Sequence, residues 1–275
     1  AQEAIGMQIR SPQFRFDDVP RYWAAGNPLL THYLNAFHVL IPEGERFFIR
    51  CVRPYLETLP QGTMRQRCQA FMGQEGWHQV AHRGFWSQLR RQGLPVDRFA
   101  RIYQTLAFDL LEQRLARFLS DRQRLAVTAA LEHYTAVMSS VLFRSDFPVA
   151  HFHEEMDRLH RWHGAEELEH KAVAFDLHVS QGGSYVERVG AFLIASAAVA
   201  GWSGLGFATF CAGDPRLPRA LRSGLLGPQR WPIRGRALLR LAVDLAAFLR
   251  PGFHPDQLDD PPAASAFLAT FKDAA

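Results

Sequence analysis

The sequence predicts an all-α protein, a four-helix bundle followed by additional C-terminal helices. Two observations carry this. Apolar residues recur at helical spacing along almost the whole chain, and period-two alternation is nearly absent. The prolines gather between the periodic stretches rather than inside them, as in helices joined by short breaks. At 275 residues and 48% hydrophobic, the chain can bury a sizeable core, and no low-complexity tract interrupts it.

Residues 1–25 read as an N-terminal arm, rich in Pro and Asp. A helix is expected from Pro28 to Leu40, broken near Pro42, with another from Glu43 to Leu59. Gln61 to Gln92 reads as one long helix that ends before Gly93 and Pro95. Asp97 to Leu119 is helical and serves as a connection. Asp121 is expected to cap a helix running to about Arg144, because an Asp side chain accepts hydrogen bonds from free first-turn amides. A further long helix, Val149 to Gln181, stops at Gly182-Gly183. The bundle therefore spans 26–183, and 184–275 form a C-terminal helical extension.

Within that extension, residues 189–213 carry no charge and are bracketed by Arg188 and Asp214. The stretch exceeds the about 20 apolar residues needed to cross a bilayer. Three readings stay open. It is a buried or dimer-interface helix, as its Ala, Gly and Ser content favours, or a monotopic helix in one leaflet, or a single span. The formal net charge is +4 and the basic excess is uneven. Arg216, Arg219, Arg222, Arg230, Arg234, Arg236, Arg240 and Arg250 crowd the last quarter, which suits a solvated face or an anionic membrane surface. No zinc-finger spacing or aromatic RNA-binding motif is present, so no nucleic-acid partner is expected. Three cysteines without CxxC spacing, and no signal peptide at the start, read as reduced thiols in a cytoplasmic protein. Membrane association would come through 189–213 and the basic region.

Acids and histidines occur inside apolar helical sequence at four places. They are Glu45 in PEGERFF, Glu75 and His78 in GQEGWHQVAH, Glu132 in ALEHYTA, and Glu167 with His170 in HGAEELEHK. Positions i and i+3 share a helix face, so each E-x-x-H pair can reach one metal ion. The order is Glu, E-x-x-H, a longer gap, Glu, E-x-x-H. Two lone glutamates and two such pairs on four inward-facing helices are how ferritin-like carboxylate proteins hold two metals, and the longer gap leaves room for a crossover helix. Burying four carboxylates without counter-charge is untenable, whereas two divalent ions neutralise them. Oxygen and nitrogen donors without thiolate suit iron or manganese, with zinc as a further alternative.

His163 lies on the stripe of Glu167 and His170, four and seven residues before them, and joins the candidate ligands. His82, four residues after His78, is a weaker candidate. Glu166 and Glu169 point elsewhere if Glu167 and His170 point inward, either behind the ligands or to solvent. His133 faces away from Glu132, and His38 lines the pocket or packs.

At these residues the chain resembles a bacterial family described as predicted metal-dependent hydrolases. The resemblance runs from FRFDDVPRYWAAGNPLLTHYLN, through PEGERFF and FMGQEGWHQVAH, to RWHGAEELEHKAVAFDLH, and covers most of residues 13–180. In ligand spacing alone, the sequence is also similar to the di-iron arylamine N-oxygenases such as p-aminobenzoate N-oxygenase. Their pattern falls on Glu45, Glu75 with His78, Glu132, and His163 with Glu167 and His170. The two resemblances imply different chemistries. One is an O2-dependent di-iron oxidase or oxygenase, for which the many Phe residues and the apolar 189–213 stretch, not the resemblance, favour a small hydrophobic substrate. With no flavin, nicotinamide or Fe–S motif in the chain, it would need a separate electron-donor protein. The other is a two-metal hydrolase using zinc or manganese.

Overall fold

A computed structural model describes residues 7–115, 118–144, 151–222 and 235–271. Among the described residues the protein is all-α, with no strand and one isolated bridge between Ala24 and Phe152.

Helix α1 (Pro28–Val52) is capped by Asn27, whose side chain accepts the Leu30 N–H at 3.0 Å, and Pro28 stands at its first position. The helix does not break at Pro42. A proline deprives the carbonyl four residues earlier, here that of His38, of its helical partner. The Trp86 indole N–H donates to that carbonyl at 2.7 Å, so the lost bond is replaced from a neighbouring helix. After a short α2 (Tyr55–Thr58) comes α3 (Thr63–Arg91), close to the predicted span. It ends at Gly93, whose φ of 73° is the left-handed conformation glycine favours at helix ends. The predicted connection is α4 (Val96–Tyr103) running into a π-helix, Gln104–Leu115.

Helix α5 (Asp121–Leu142) is capped one residue earlier than expected. Ser120 accepts from the Gln123 N–H while the Gln123 side chain accepts from the Ser120 N–H, a reciprocal capping box that leaves Asp121 inside the first turn. The helix predicted from Val149 to Gln181 is two helices, α6 (Glu154–His170) and α7 (Val173–Ser180), and its first two residues lie outside the described ones. At the break, Lys171 meets Asp260 at 2.7 Å and the Leu258 carbonyl at 3.0 Å.

Helix α1 packs on α3, and α5 packs on α6, giving the four helices that surround the centre. The C-terminal helices cover this bundle. They are α8 (Tyr185–Ala212), α9 (Leu217–Arg222), α10 (Gly235–Ala246) and α11 (Pro262–Thr270); α8 lies on α1 and α5, α10 on α5, and α11 on α6. Glycine at 206 allows the α8 backbone to rest on α1, since a Cβ there would sit 2.6 Å from the Ala36 Cβ. The apolar 189–213 stretch thus has two faces. Ala191, Phe192, Ala195, Gly206 and Phe210 are buried, and the opposite side is exposed. The N-terminal arm is also part of the core: Phe16, Val19 and Trp23 are buried, and the Trp23 indole donates to Asn35 at 2.9 Å. Cys51, Cys68 and Cys211 are unpaired.

Candidate metal centre

All seven residues singled out from the sequence meet in one place. Glu45 comes from α1, Glu75 and His78 from α3, Glu132 from α5, and His163, Glu167 and His170 from α6; every one is buried. The local reason is helical pitch. Each E-x-x-H pair stacks its side chains on one face, and His163 adds the next turn of the same stripe. Aromatic rings close the site on two sides: Phe71 is edge-on to His170 at 4.9 Å between centroids, and Trp162 is edge-on to His78 at 5.0 Å.

Two groups of ligand atoms form, each with its atoms within 4.8 Å of one another. The first holds Glu45, His78, His163 and Glu167, and the second Glu75, Glu167 and His170. Glu132 joins the second, with its Oε2 3.3 Å from His170 Nε2. Glu167 belongs to both. Its Oε1 lies 2.8 Å from His163 Nε2 and 3.6 Å from His78 Nδ1, while its Oε2 lies 3.5 Å from His170 Nε2. Glu75 also faces both ways, with Oε1 3.2 Å from His170 Nε2 and Oε2 3.9 Å from His78 Nδ1. The two E-x-x-H glutamates therefore stand between the groups, and Glu45 and Glu132 stand at opposite ends.

The residues fit a pair of cations by a test independent of their spacing. Both carboxylate oxygens of Glu45, Glu75 and Glu132, with Glu167 Oε2, His78 Nδ1 and His170 Nε2, are buried and make no hydrogen bond. Orphaned buried polar atoms are costly and rare, yet here nine converge, all of them metal donors. The donor set is four carboxylates and three imidazoles with no thiolate, which suits iron or manganese and admits zinc.

The electrostatics make the same demand. Burial, then the charges of Glu167 and Glu132, pushes the Glu45 carboxyl well above the usual range. Burial, then Glu132, Glu45 and Glu167, does the same to Glu75. Burial and Glu167 push Glu132 up to about 7, against the pull of His170. Burial also acts to raise Glu167, but His170 and His163 overcome it and hold that carboxyl below its ordinary value. Without cations, three of the four carboxyls are shifted towards their protonated forms. Metal uptake must then expel those protons, so affinity is expected to fall as pH drops below about 7, by roughly tenfold per unit for each proton displaced. Chelator competition between about pH 6 and 8 measures this; a pH-independent affinity would mean that these carboxyls are not ligands.

Behind the ligands lies a set of positioning partners. Glu166 turns away from the centre, as expected, but it is fully buried and not solvent-facing. Its Oε2 accepts from His78 Nε2 at 3.0 Å, and Arg10 of the N-terminal arm donates to its Oε1 at 2.8 Å. Arg10 also grips Glu169, at 3.0 and 3.1 Å. His170 Nδ1 donates to Gln74 Oε1 at 3.0 Å, and Gln74 Nε2 donates to Glu169 at 2.8 Å. Such bonds fix which imidazole nitrogen is free for metal. Arg10 and Gln74 were missed in the sequence. Gln74 adjoins Glu75 and could have been suspected; nothing local marks Arg10.

His82 is not in either ligand group. Its Nε2 lies 2.6 Å from His163 Nδ1 and its Nδ1 2.8 Å from His38 Nδ1, so three imidazoles run outward from the first group. Burial, with like charge from neighbouring histidines, lowers His38 and His82 well below the ordinary imidazole range. His133 faces away, towards the Asp244 and Leu245 carbonyls.

A cavity of about 1040 Å³ opens against the first group, where Glu45 and His163, with His38, His82 and His160, line it; Glu112 and Arg124 also reach it. Such a volume is at the upper end of the about 300–1,000 Å³ of small-molecule sites. The remaining walls are largely apolar, including Phe37, Phe47, Leu131, Met138, Val199 and Leu241 from α1, α5, α8 and α10.

Residues 8–259 match the model of a protein family described as predicted metal-dependent hydrolase. No curated protein and no solved structure matches the chain.

Proposed function

This chain belongs to the predicted metal-dependent hydrolase family; from its buried donor set and apolar cavity we propose that it is a dinuclear iron enzyme that uses O2 to oxidise a small apolar substrate. The observation that carries the reading is the meeting of two features. A buried centre of four glutamates and three histidines, in the residue order that ferritin-like carboxylate proteins use, borders a cavity whose walls are largely apolar. A bound iron pair would supply reductive activation of O2.

The chain's own residues account for the rest of the site's work. Glu75 and Glu167 hold the two positions together, Glu45 and Glu132 terminate them, and His78, His163 and His170 present nitrogens fixed by their outer partners. The apolar walls exclude water and hold hydrocarbon beside Glu45 and His163. His82 and His38 continue a row of hydrogen-bonded imidazoles from His163 along the cavity wall, a path for protons away from the centre. Inserting one oxygen atom from O2 and releasing the other as water consumes two electrons and two protons. The electrons would come from a separate donor protein, since no redox motif is present in the chain.

A second reading, hydrolysis with zinc or manganese, is favoured by the family description. There the two metals would activate water and polarise a carbonyl or phosphoryl oxygen. Metal analysis of protein grown with balanced iron, manganese and zinc separates the two, followed by absorption spectra of the reduced form before and after O2. About two irons per chain and an O2-dependent band are expected. Zinc or manganese with no response to O2, and ester or phosphoester cleavage in its absence, would establish the hydrolase.

A further inference from the structure

We infer that the outer face of α8, together with α10, docks on an anionic phospholipid bilayer, and that the cavity takes its apolar substrate from that membrane. The second clause rests on the cavity serving as the substrate site; the first stands on the surface alone.

The surface departs from what a water-facing helix shows. From Val189 to Gly213 no residue is charged, and on the side of α8 turned away from the bundle Leu193 and Ile194 are 62% and 51% exposed. Helix α10 is amphipathic in the inverted sense for a solvated helix. Leu239 and Val243 are 68% and 60% exposed, while Ala237 is buried. Soluble monomers rarely leave large side chains like these together on one exposed surface, and such patches mark interaction sites.

Charge selects the partner. Between Asp214 and Asp256 the sequence holds eight arginines against one acid, Asp244, and that carboxylate already faces Arg144 at 3.2 Å. Arg240 lies among the exposed leucines of α10, and Arg216, Arg219 and Arg250 are exposed. Exposed leucine and valine beside arginines in large excess over acids is the pattern of helices that lie in a membrane interface, apolar groups in the acyl boundary and guanidiniums at anionic headgroups. A second copy seated on the same face would bring arginine towards arginine.

The cavity gives the surface a use. Its walls include Ile194, Ala198 and Trp202 of α8 and Leu238 and Leu241 of α10, so the helices that carry the exposed face also enclose the route to Glu45 and His163. Ile194 and Leu238 are themselves half or more exposed, which makes the apolar surface continuous from outside to inside. An apolar molecule moving from bilayer to metal centre along this path need not cross water.

The test is co-sedimentation of the full-length protein with vesicles of phosphatidylcholine alone or mixed with phosphatidylglycerol. Its comparison is the triple variant Leu193→Glu, Leu239→Glu, Val243→Glu, whose positions do not line the cavity. Wild type should bind the anionic vesicles at least tenfold better than the neutral ones, less well in high salt, and the triple variant should lose this binding at unchanged metal content. Failure of wild type to sediment with anionic vesicles would overturn the proposal. So would equal binding by the variant, or a wild-type dimer without vesicles that the variant dissociates. Vesicle binding by protein that holds no metal would uphold the docking surface and remove the enzymatic reading instead.

Discussion

Glu167→Ala should take metal content from about two ions per chain to almost none, the largest effect expected of any single substitution here. Glu167 is the one residue common to both ligand groups, with one oxygen towards His78 and His163 and the other towards His170. Its loss would remove a donor from each candidate position and leave Glu75 as the carboxylate that faces both groups. Glu132→Ala, by contrast, strips only the end of the second group and should leave about one ion. The fold should survive both changes. In the metal-free protein Glu167 is the carboxylate that His170 and His163 hold below its ordinary value, so its removal leaves both imidazoles without that partner. The melting temperature of chelated Glu167→Ala should therefore fall below that of chelated wild type. The stabilisation by added metal, about 4 kcal/mol at a thousandfold excess over Kd, should vanish. Mass spectrometry of metal content beside thermal melts reads both; a Glu167→Ala protein that keeps both ions would dissolve the bridging assignment.

The second large effect is expected at a residue that touches no metal position. Glu166→Ala should weaken metal binding by about ten- to a hundredfold, because partners that orient ligating histidines act on that scale. His78 Nε2 would lose its only acceptor, and the imidazole could rotate or carry its proton on Nδ1, the nitrogen that faces Glu45, Glu75 and Glu167. Arg10 would keep Glu169. Glu166→Gln retains an oxygen to accept from His78 and should recover most of the affinity, which a merely structural role would not predict. Competitive titration against a chelator measures all three proteins; identical affinities would reduce Glu166 to a packed acid.

Much of this site is legible in the sequence because its rules are local. E-x-x-H is one helical turn, His163 is one turn earlier, and four such positions at hairpin spacing imply four helices; the structure gathers all seven side chains. The misreadings have equally local causes. Pro42 signals a break unless something else satisfies the His38 carbonyl, and Trp86, 44 residues further on, is what does so. Asp121 is a good cap in isolation, but Ser120 with Gln123 makes two bonds where Asp121 would make one. Glu166 and Glu169 have the right direction in the sequence, since they sit off the ligand stripe, but the burial of Glu166 goes with its pairing to Arg10, 156 residues earlier, which Glu169 shares.

Taken by itself, the sequence determined most of the helices, the seven side chains that meet at the candidate centre and the expectation that cations balance its carboxylates. These follow from helical period and from the cost of burying uncompensated carboxylates, neither of which needs a partner distant in the chain. Only the tertiary structure decided which glutamates stand between the two positions, that Arg10 and Gln74 hold the histidines from behind, and that a long apolar cavity runs from the first position towards α8 and α10. Those depend on how helices rotate and approach when packed. That approach is set by contacts such as Gly206 on Ala36, between residues 170 positions apart, and spacing along one chain carries no record of it.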